Sequence, residues 1–331
     1  MVDQKFDVIV IGELNVDLIL NKIDGFPEMG KEKLAKQMTL TLGSSSAIFA
    51  SNLSALGANV AFLGKIGRDQ FGELVIESLQ QKRVNTEYII QDENLNTGTT
   101  IVMNYDENRA MLTYPGAMDH LTINDINTSI LTKAKHLHFS SYYLQPGIKK
   151  NVQDLFIMAK KTGLTTSFDM QWDPAEKWDL DYKAVLPYVD LFFPNKQELI
   201  ELTGQINMRE AIRALDTTNT IVVKRGSDGS SCWKNGQESV LSAFLNENVV
   251  DAIGAGDSFN AGFVFKFIQG NSIQECQLFG NLCGAINTTA AGGTTAFTDY
   301  DAVMKTARDR FGYTDSTKDH TSKPKTVFGV L

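Results

Sequence analysis

Asp257 is the residue in this chain best placed to do chemistry, because it follows Gly254-Ala255-Gly256 within VVDAIGAGDSFNAGFV (249–264). The valines end an expected strand, and the small residues make a turn with almost no side chain. Backbone N–H groups of such a turn, with the first unpaired N–H groups of a helix, point at one spot and favour negative charge there. A carboxylate beside that spot repels a phosphate that is merely bound. It suits a reaction in which a hydroxyl loses its proton while attacking a phosphoryl group. The competing reading makes Asp257 a simple helix cap, a common role for Asp. Spacing alone does not choose between them.

Three other sets of residues could serve the same chemistry. Asn195 and Glu198 lie three apart where a helix should begin after a buried strand. An amide and a carboxylate on one face suit Mg²⁺ held largely through water, and the same spacing also makes a capping box. Lys224, Gly226 and Gly229 end the VVK run at a tight loop that lets backbone approach a triphosphate, though KRGSDG is also ordinary turn chemistry. Asp17 stands inside the apolar run NVDLIL, where an unpaired carboxylate is costly, so it must face a ligand or a backbone partner. No GxxxxGK[ST] is present, and no GxGxxG follows a strand. A dehydrogenase reading loses its fingerprint.

These residues need elements to hold them. The pattern predicts a strand at FDVIVIG (6–12), a helix from Ser44 to Leu56 ended by Gly57, and a hairpin from 99–104 and 109–114. Strand-then-helix units follow: HLHFSSY with a helix near 148–162, TTSFDM, VDLFFPN with a helix from Lys196, and TIVVKRGSDGS leading to a hairpin. The helix after Gly256 reads as amphipathic, with Phe259, Phe263, Val264 and Phe267 on its apolar face, ending near Gly270. Strands alternating with helices imply a parallel sheet covered on both faces. The antiparallel-looking pieces near 15–41 and 99–114 are expected to form a small separate sheet hinged over it. The last twenty residues are polar and read as a loosely held tail.

Bulk properties narrow the function further. The 331 residues carry 31 basic and 39 acidic side chains, a net charge of −8. That excess argues against nucleic-acid and anionic-membrane partners, so a polyanion must be held locally. Cys232, Cys276 and Cys283 form no CxxC pair, and with four scattered histidines they make no zinc pattern. His136 and His138 fall on one face of a strand and read as structural or substrate-facing rather than metal-bound. The N-terminal stretch has acids where a signal peptide needs bases, so a cytoplasmic setting is expected.

With its motifs in this order, the chain resembles the ribokinase-like, or PfkB, family of carbohydrate kinases from about residue 6 to about 300. GELNVD (12–17) resembles the first strand with its sugar-contacting Asp, and the run 42–72 the N-terminal signature. FPNKQE (193–198) resembles the Asn-x-x-Glu motif, VVKRGSDG (222–229) the ATP-phosphate loop, and DAIGAGDSFNAGF (251–263) the C-terminal signature. The resemblance implies an α/β fold: a three-layer α/β/α sandwich with a mostly parallel central sheet and a small β-sheet lid. It implies a single kinase domain over 1–312, with the lid drawn from segments near 13–41 and 97–117, and a tail over 313–331. It further implies ATP-dependent phosphorylation of a hydroxyl on a small sugar or polyol. Asp257 is then the base, and Gly254, Ala255 and Gly256 the anion hole. Asn195 and Glu198 hold Mg²⁺, Lys224, Gly226 and Gly229 meet the triphosphate, and Asn281 lines the adenine pocket. Asp251 and Ile253, with Asn287, Ala290 and Gly292, match loops that hold a monovalent cation such as K⁺ in some relatives. Lid-to-lid pairing into a homodimer is expected.

Three departures bear on the acceptor. The family's Gly-Gly-x-x-x-Asn reads Gly43 to Ile48, so the Asn that bonds a sugar hydroxyl is an apolar residue. The Asp-x-Asn-x-Arg of several sugar kinases reads Asp169 to Asp173, which puts an acid where a cation would meet an acidic sugar or sugar phosphate. The Thr pair after Asp251 is Ala252-Ile253. Asn15, Asp17, Gly43, Ser44, Arg109, Gln171 and Asp173 are expected to shape the acceptor pocket, with Trp172 stacking on a ring. Lys31, Lys33 and Arg109 read as solvated face of the lid. The rival readings are a nucleoside kinase, with Trp172, Phe139, Tyr142 and Tyr143 stacking on a base, and a catalytically silent sugar- or nucleotide-binding protein.

Overall fold

Alternate residues of the first strand go to opposite layers. Val8 and Val10 join one buried cluster, and Ile9 and Ile11 the other. That division follows from the two-residue period of a strand and marks a sheet buried on both faces. The computed structural model describes residues 5–105, 108–215 and 219–314.

Fourteen strands are present among the described residues. They are β1 Phe6–Ile11, β2 Asn15–Ile23, β3 Ala35–Leu42, β4 Val60–Leu63, β5 Lys65–Gly67, β6 Ile90–Asp92 and β7 Gly98–Tyr105. Then come β8 Asn108–Tyr114, β9 Ala134–Ser140, β10 Thr165–Asp169, β11 Leu191–Phe192, β12 Thr220–Lys224, β13 Ser230–Lys234 and β14 Gln237–Leu241. The central sheet runs β14-β13-β12-β11-β10-β9-β1-β4, parallel from β12 to β4 and antiparallel at the β13–β14 edge. Residues of helices Ser45–Ala55, Ala255–Ile268, Ile273–Asn287 and Tyr300–Phe311 cover one face; those of Val152–Lys161, Lys196–Thr203 and Met208–Leu215 cover the other. The result is the expected three-layer sandwich.

Three local expectations change, and the first is that Val249 and Val250 lie in no strand. The helix expected near 148–162 forms as two pieces, Pro146–Lys149 and Val152–Lys161. The helix after Gly254 is not amphipathic: every residue from Asp257 to Lys266 is buried, because the first-turn acid and the lysine stem are packed as well as the phenylalanines. Most of the expected tail, 315–331, lies outside the described residues. Among those residues no helix is long and apolar enough to cross a membrane.

A second sheet runs β3-β2-β7-β8, with β2 and β7 parallel at its centre. Its register sorts its side chains. Leu18 faces Leu40 and Ile101, Leu20 faces Met38 and Met103, and Ile101 faces Leu112, so one face is apolar. The other carries Asn15, Asp17, Thr41, Thr100, Thr113 and Arg109. The polar face is tied together by Asn15 donating to Thr100 Oγ1 at 3.0 Å, and by Thr100 and Thr113 hydroxyls 3.0 Å apart.

Candidate active site

The carboxyl ends of the parallel strands gather the chemistry. Glu13 follows β1, Ser140 ends β9, Asp169 ends β10, Asn195 follows β11 and Lys224 ends β12. Open α/β sheets bind ligands at this edge, where loops are free to project functional groups. An isolated bridge pairs Asn195 with Lys224, which sets the Asn-x-x-Glu segment beside the lysine.

Gly254 opens the helix Ala255–Ile268 in the left-handed region (φ 76), and no side chain caps that helix. Asp257 is its third residue, so the capping reading falls. Ala255 N–H turns back to Ala252 O at 3.2 Å, and the N–H groups of Gly256 and Asp257 are left for a ligand. A Cβ on Gly254 would lie 2.8 Å from Gly293 Cα and 3.0 Å from Ile48 Cγ2. Both the backbone angle and the close approach therefore require glycine. Ile48, expected where a sugar-bonding Asn would stand, is buried and packs behind this turn against Gly254 and Gly293. It backs the anion cradle.

Asp257 is only 8% exposed and accepts a hydrogen bond from Gln171 Nε2 at 3.1 Å. Burial, reinforced by the charge of Asp169, pushes its carboxyl up to about 8; Lys224 and the Ser45 hydroxyl pull the other way. Lys224 Nζ sits 2.5 Å from Asp169 Oδ2 and over the cradle, where a Cβ on Gly256 would lie 3.8 Å from it. Burial would lower the Lys224 ammonium, but the charges of Asp169 and Glu198 outweigh it and hold the group above its ordinary value.

Asp169 is the residue sequence reasoning missed. It is fully buried, and its carboxylate accepts from Lys224, from Asn260 Nδ2 at 2.6 Å and from Gln171 Nε2 at 3.2 Å. The sequence marks Asp169 only as the start of the altered Asp-x-Asn-x-Arg segment, so only the fold shows it as a hub. Glu13 is also buried. It accepts from the Ser46 hydroxyl and from Ser46 N–H at 3.3 Å, and burial raises its carboxyl.

Asn195 and Glu198 form the capping box: Asn195 N–H donates to Glu198 Oε2, and Glu198 N–H to Asn195 Oδ1, each at 2.8 Å. Glu198 is buried, and burial pushes its carboxyl up to about 7 against the pull of Lys224. The box uses one oxygen of that carboxylate. A hard oxygen donor therefore stays beside the lysine and Asp169, which fits a cation that keeps much of its water. Beyond the cradle a cleft of about 350 Å³ opens between Lys224, Gly226 and Gly229 and an apolar end at Phe244, Leu245 and Val249. Asn281 lines it and braces its wall by donating to Leu241 O at 3.4 Å and Ser242 O at 3.1 Å.

The segment Gly43-Ser44-Ser45 links the cleft to the second sheet. Gly43 lies so close to Asp17 and Asn15 that a Cβ would meet the Asp17 carboxylate and come 2.8 Å from Asn15 Nδ2. Ser44 donates to Glu13 O at 2.7 Å and caps the next helix, and Ser45 bonds Asp257. Asp17 accepts from Asn15 at 3.0 Å, and burial pushes its carboxyl up to about 6, with Glu13 adding and Arg109 opposing. Arg109 is exposed on the same polar face. Lys31 and Lys33 pair with Glu28 in their own turn.

Several expectations do not survive. Asp173 does not reach the acceptor side: its carboxylate accepts from the N–H groups of Ala175, Lys177 and Trp178 and organises that loop. Trp172, 42% exposed, meets Trp178 edge-on at 4.9 Å. Phe139, Tyr142 and Tyr143 are packed in the core and give no stacking platform. His136 and His138 spend ring nitrogens on Thr165 and Ser167. Asp251 and Ile253 converge with Asn287 and Gly292, but they bond one another's loop. Asp251 accepts from Ile253 and Gly292 N–H, each at 2.9 Å, and Ile253 O accepts from Asn287 at 2.6 Å. Ala290 N–H donates to Asn287 O in the same turn. The Asp251 carboxylate and Ile253 O thus brace the turn before the cradle.

Comparison with known proteins agrees with this geometry. The pfkB family carbohydrate kinase model matches residues 5–299. An uncharacterized sugar kinase of Archaeoglobus fulgidus is 32% identical over 235 residues, 70% of this chain and 92% of that protein. Among solved structures, a ribokinase of Arabidopsis thaliana complexed with ribose and ATP superposes with a TM-score of 0.78 at 24% identity. That match covers 91% of this chain and 98% of the other. An adenosine kinase of Sinorhizobium meliloti gives 0.80 at 24% identity, covering 92% and 100%. At that identity the two structures establish the fold.

Proposed function

The chain belongs to the pfkB family of carbohydrate kinases, and from that premise we propose that it transfers the terminal phosphoryl group of ATP to a hydroxyl of a small neutral sugar or polyol. Enzymes of this family are phosphotransferases acting on hydroxyl groups. One observation carries the finer reading: Lys224 and the helix start at Ala255-Gly256, which no side chain caps, line one cleft, and the buried Asp257 carboxylate follows them on that helix.

In this reading the triphosphate lies along Lys224, Gly226 and Gly229, with the base toward the apolar end by Phe244 and Asn281. Asp257 takes the proton of the acceptor hydroxyl as that oxygen attacks the terminal phosphorus, and the bond to the bridging oxygen of ADP breaks. Backbone N–H groups of Gly254 and Gly256 receive the charge on the moving phosphoryl group, while that of Ala255 holds the turn through Ala252 O; such donors usually carry a large share of catalysis in this chemistry. Glu198 and Asn195 would hold Mg²⁺ through its water, and the bound cation would offset phosphate charge.

A neutral acceptor suits the groups on that side. Asn15 and Asp17 stand beside Gly43 and Ser45 bonds Asp257, while Arg109 on the same polar face is exposed. A phosphate or carboxylate on the acceptor would find only that solvated arginine to pair with. Asn15 and Asp17 would bond its hydroxyls. A panel of neutral sugars, sugar phosphates and nucleosides, scored by ADP formation, tests this. Preference for a phosphorylated sugar would reject the neutral acceptor, and preference for a nucleoside would favour the rival reading. Clear stabilisation by ATP without turnover on any acceptor would support a binding protein.

The outer face of the second sheet, with Met38, Leu40, Leu112 and Tyr114 exposed, is where we place a homodimer contact. Apolar patches of this kind commonly mark association sites.

A further inference from the structure

Gln171 has the geometry of a residue that aims another. It follows β10 with a left-handed backbone (φ 62), a conformation that is costly for a residue with a side chain. In that conformation its amide nitrogen lies 3.2 Å from Asp169 Oδ2 and 3.1 Å from Asp257 Oδ1. A primary amide has two hydrogens, so one serves each carboxylate and none is left for a substrate. Its backbone N–H also donates to Asp169 Oδ1 at 3.3 Å. Asp169 in turn is fixed by Lys224 and Asn260, so it cannot swing to follow a ligand. An unbroken path of bonds therefore runs from the lysine over the cradle, through Asp169 and Gln171, to Asp257.

We propose that Gln171, anchored on Asp169, is a positioning residue that occupies Asp257 Oδ1 and turns Oδ2 toward the acceptor hydroxyl. The proposal rests on the reading of Asp257 as the base. The charged groups that act on Asp257 are Asp169 and Glu13, which oppose its ionisation, and Lys224, which favours it; Ser45 adds a second donor. Gln171 supplies a neutral donor between two acids. Holding a base at the right angle is worth a large factor because proton transfer and attack must coincide.

Gln171→Gly is the informative variant, because glycine keeps the left-handed backbone without strain while the side chain and its amide are removed. Gln171→Glu keeps the length and replaces the donor with a third acid. In Gln171→Gly, kcat is expected to fall about 10- to 100-fold while the KM for ATP stays within about twofold. The acid limb of the kcat/KM profile should move up by about half to one pH unit, since the ionised base has lost a donor. Gln171→Glu should move it further. Both variants should retain stabilisation by ATP, which reports an intact cleft.

Adding Gln171→Gly to Asp257→Asn should cost no further turnover, because a positioned group that no longer acts cannot be mispositioned. An unchanged acid limb with wild-type kcat in Gln171→Gly would overturn the inference, as would a rise in acceptor KM alone, which marks a substrate contact. Turnover surviving in Asp257→Asn would instead reject the base reading itself. Asp257→Asn inactive beside a fully active Gln171→Gly would reject only the positioning.

Discussion

The two walls of this site are built on opposite plans. The wall formed by β10, β11, β12 and the helix Ala255–Ile268 is buried and cross-bonded, with Asp169 accepting from Lys224, Asn260 and Gln171. The wall formed by the second sheet is a thin layer with a polar inner face and an outer face on which Met38, Leu40 and Leu112 are exposed. Fixed electrostatics suits the transfer step, whose demands are the same for any acceptor. A sheet hung on a few contacts suits recognition, which differs from one acceptor to the next. Under the proposed function, that division would place rate on one wall and acceptor affinity on the other.

The largest effect is expected on the rigid wall. Asp257→Asn should lower kcat by about 100-fold or more while calorimetry finds ATP affinity within about twofold of wild type. A comparable loss of ATP affinity would show that the walls are not separable. On the lid wall, Asp17→Asn should raise the acceptor KM by about 10-fold with a smaller change in kcat. Gly43→Ala should act in the same direction, since its methyl would enter the Asp17 carboxylate. If kcat fell and KM held in either variant, the lid would belong to the chemistry.

The pH dependence sharpens the same contrast. With the Asp257 carboxyl pushed up to about 8, kcat/KM should rise with pH through neutrality and level off above that value. Stability runs the other way. The fold holds that proton far above the ordinary carboxylate range, so the stability it contributes is complete below about pH 4 and is lost as pH rises through 8. Asp257→Asn, neutral at every pH, should therefore melt roughly 5 °C above wild type at pH 8 and converge with it toward pH 4. A thermal scan at both values checks the sign. Last, Leu40→Lys with Leu112→Lys should shift the protein to a monomer in sedimentation while kcat stays within about threefold. An unchanged oligomer would move the contact elsewhere.

The rigid wall was largely legible because its parts are contiguous. GAGD carries its turn, its acid and its helix start within a few residues, and Asn195 and Glu198 declare themselves by spacing. Asp169 stayed hidden because its meaning comes from Lys224 and Asn260, 55 and 91 residues away. Asp173 was misread for a related reason. An acid at a motif position looks like a ligand, but three backbone N–H groups just after it claim the carboxylate. On the lid, the hairpin of β7 and β8 was visible from its turn and alternation. The parallel pairing of β2 with β7, which makes one face polar and the other apolar, depends on register between distant segments and leaves no local trace. Ile48 reads from sequence as a lost sugar contact, and the fold adds what no local signal carries, its packing against Gly254 and Gly293.

The most direct test of the central claim, that Asp257 and its cradle move phosphate to a sugar hydroxyl, is the stoichiometry of products by phosphorus NMR with Mg-ATP and the best acceptor. One phosphomonoester of the acceptor is expected for each ADP formed, with ADP release negligible when the acceptor is omitted. ADP accompanied by inorganic phosphate, at the same rate with and without acceptor, would contradict it.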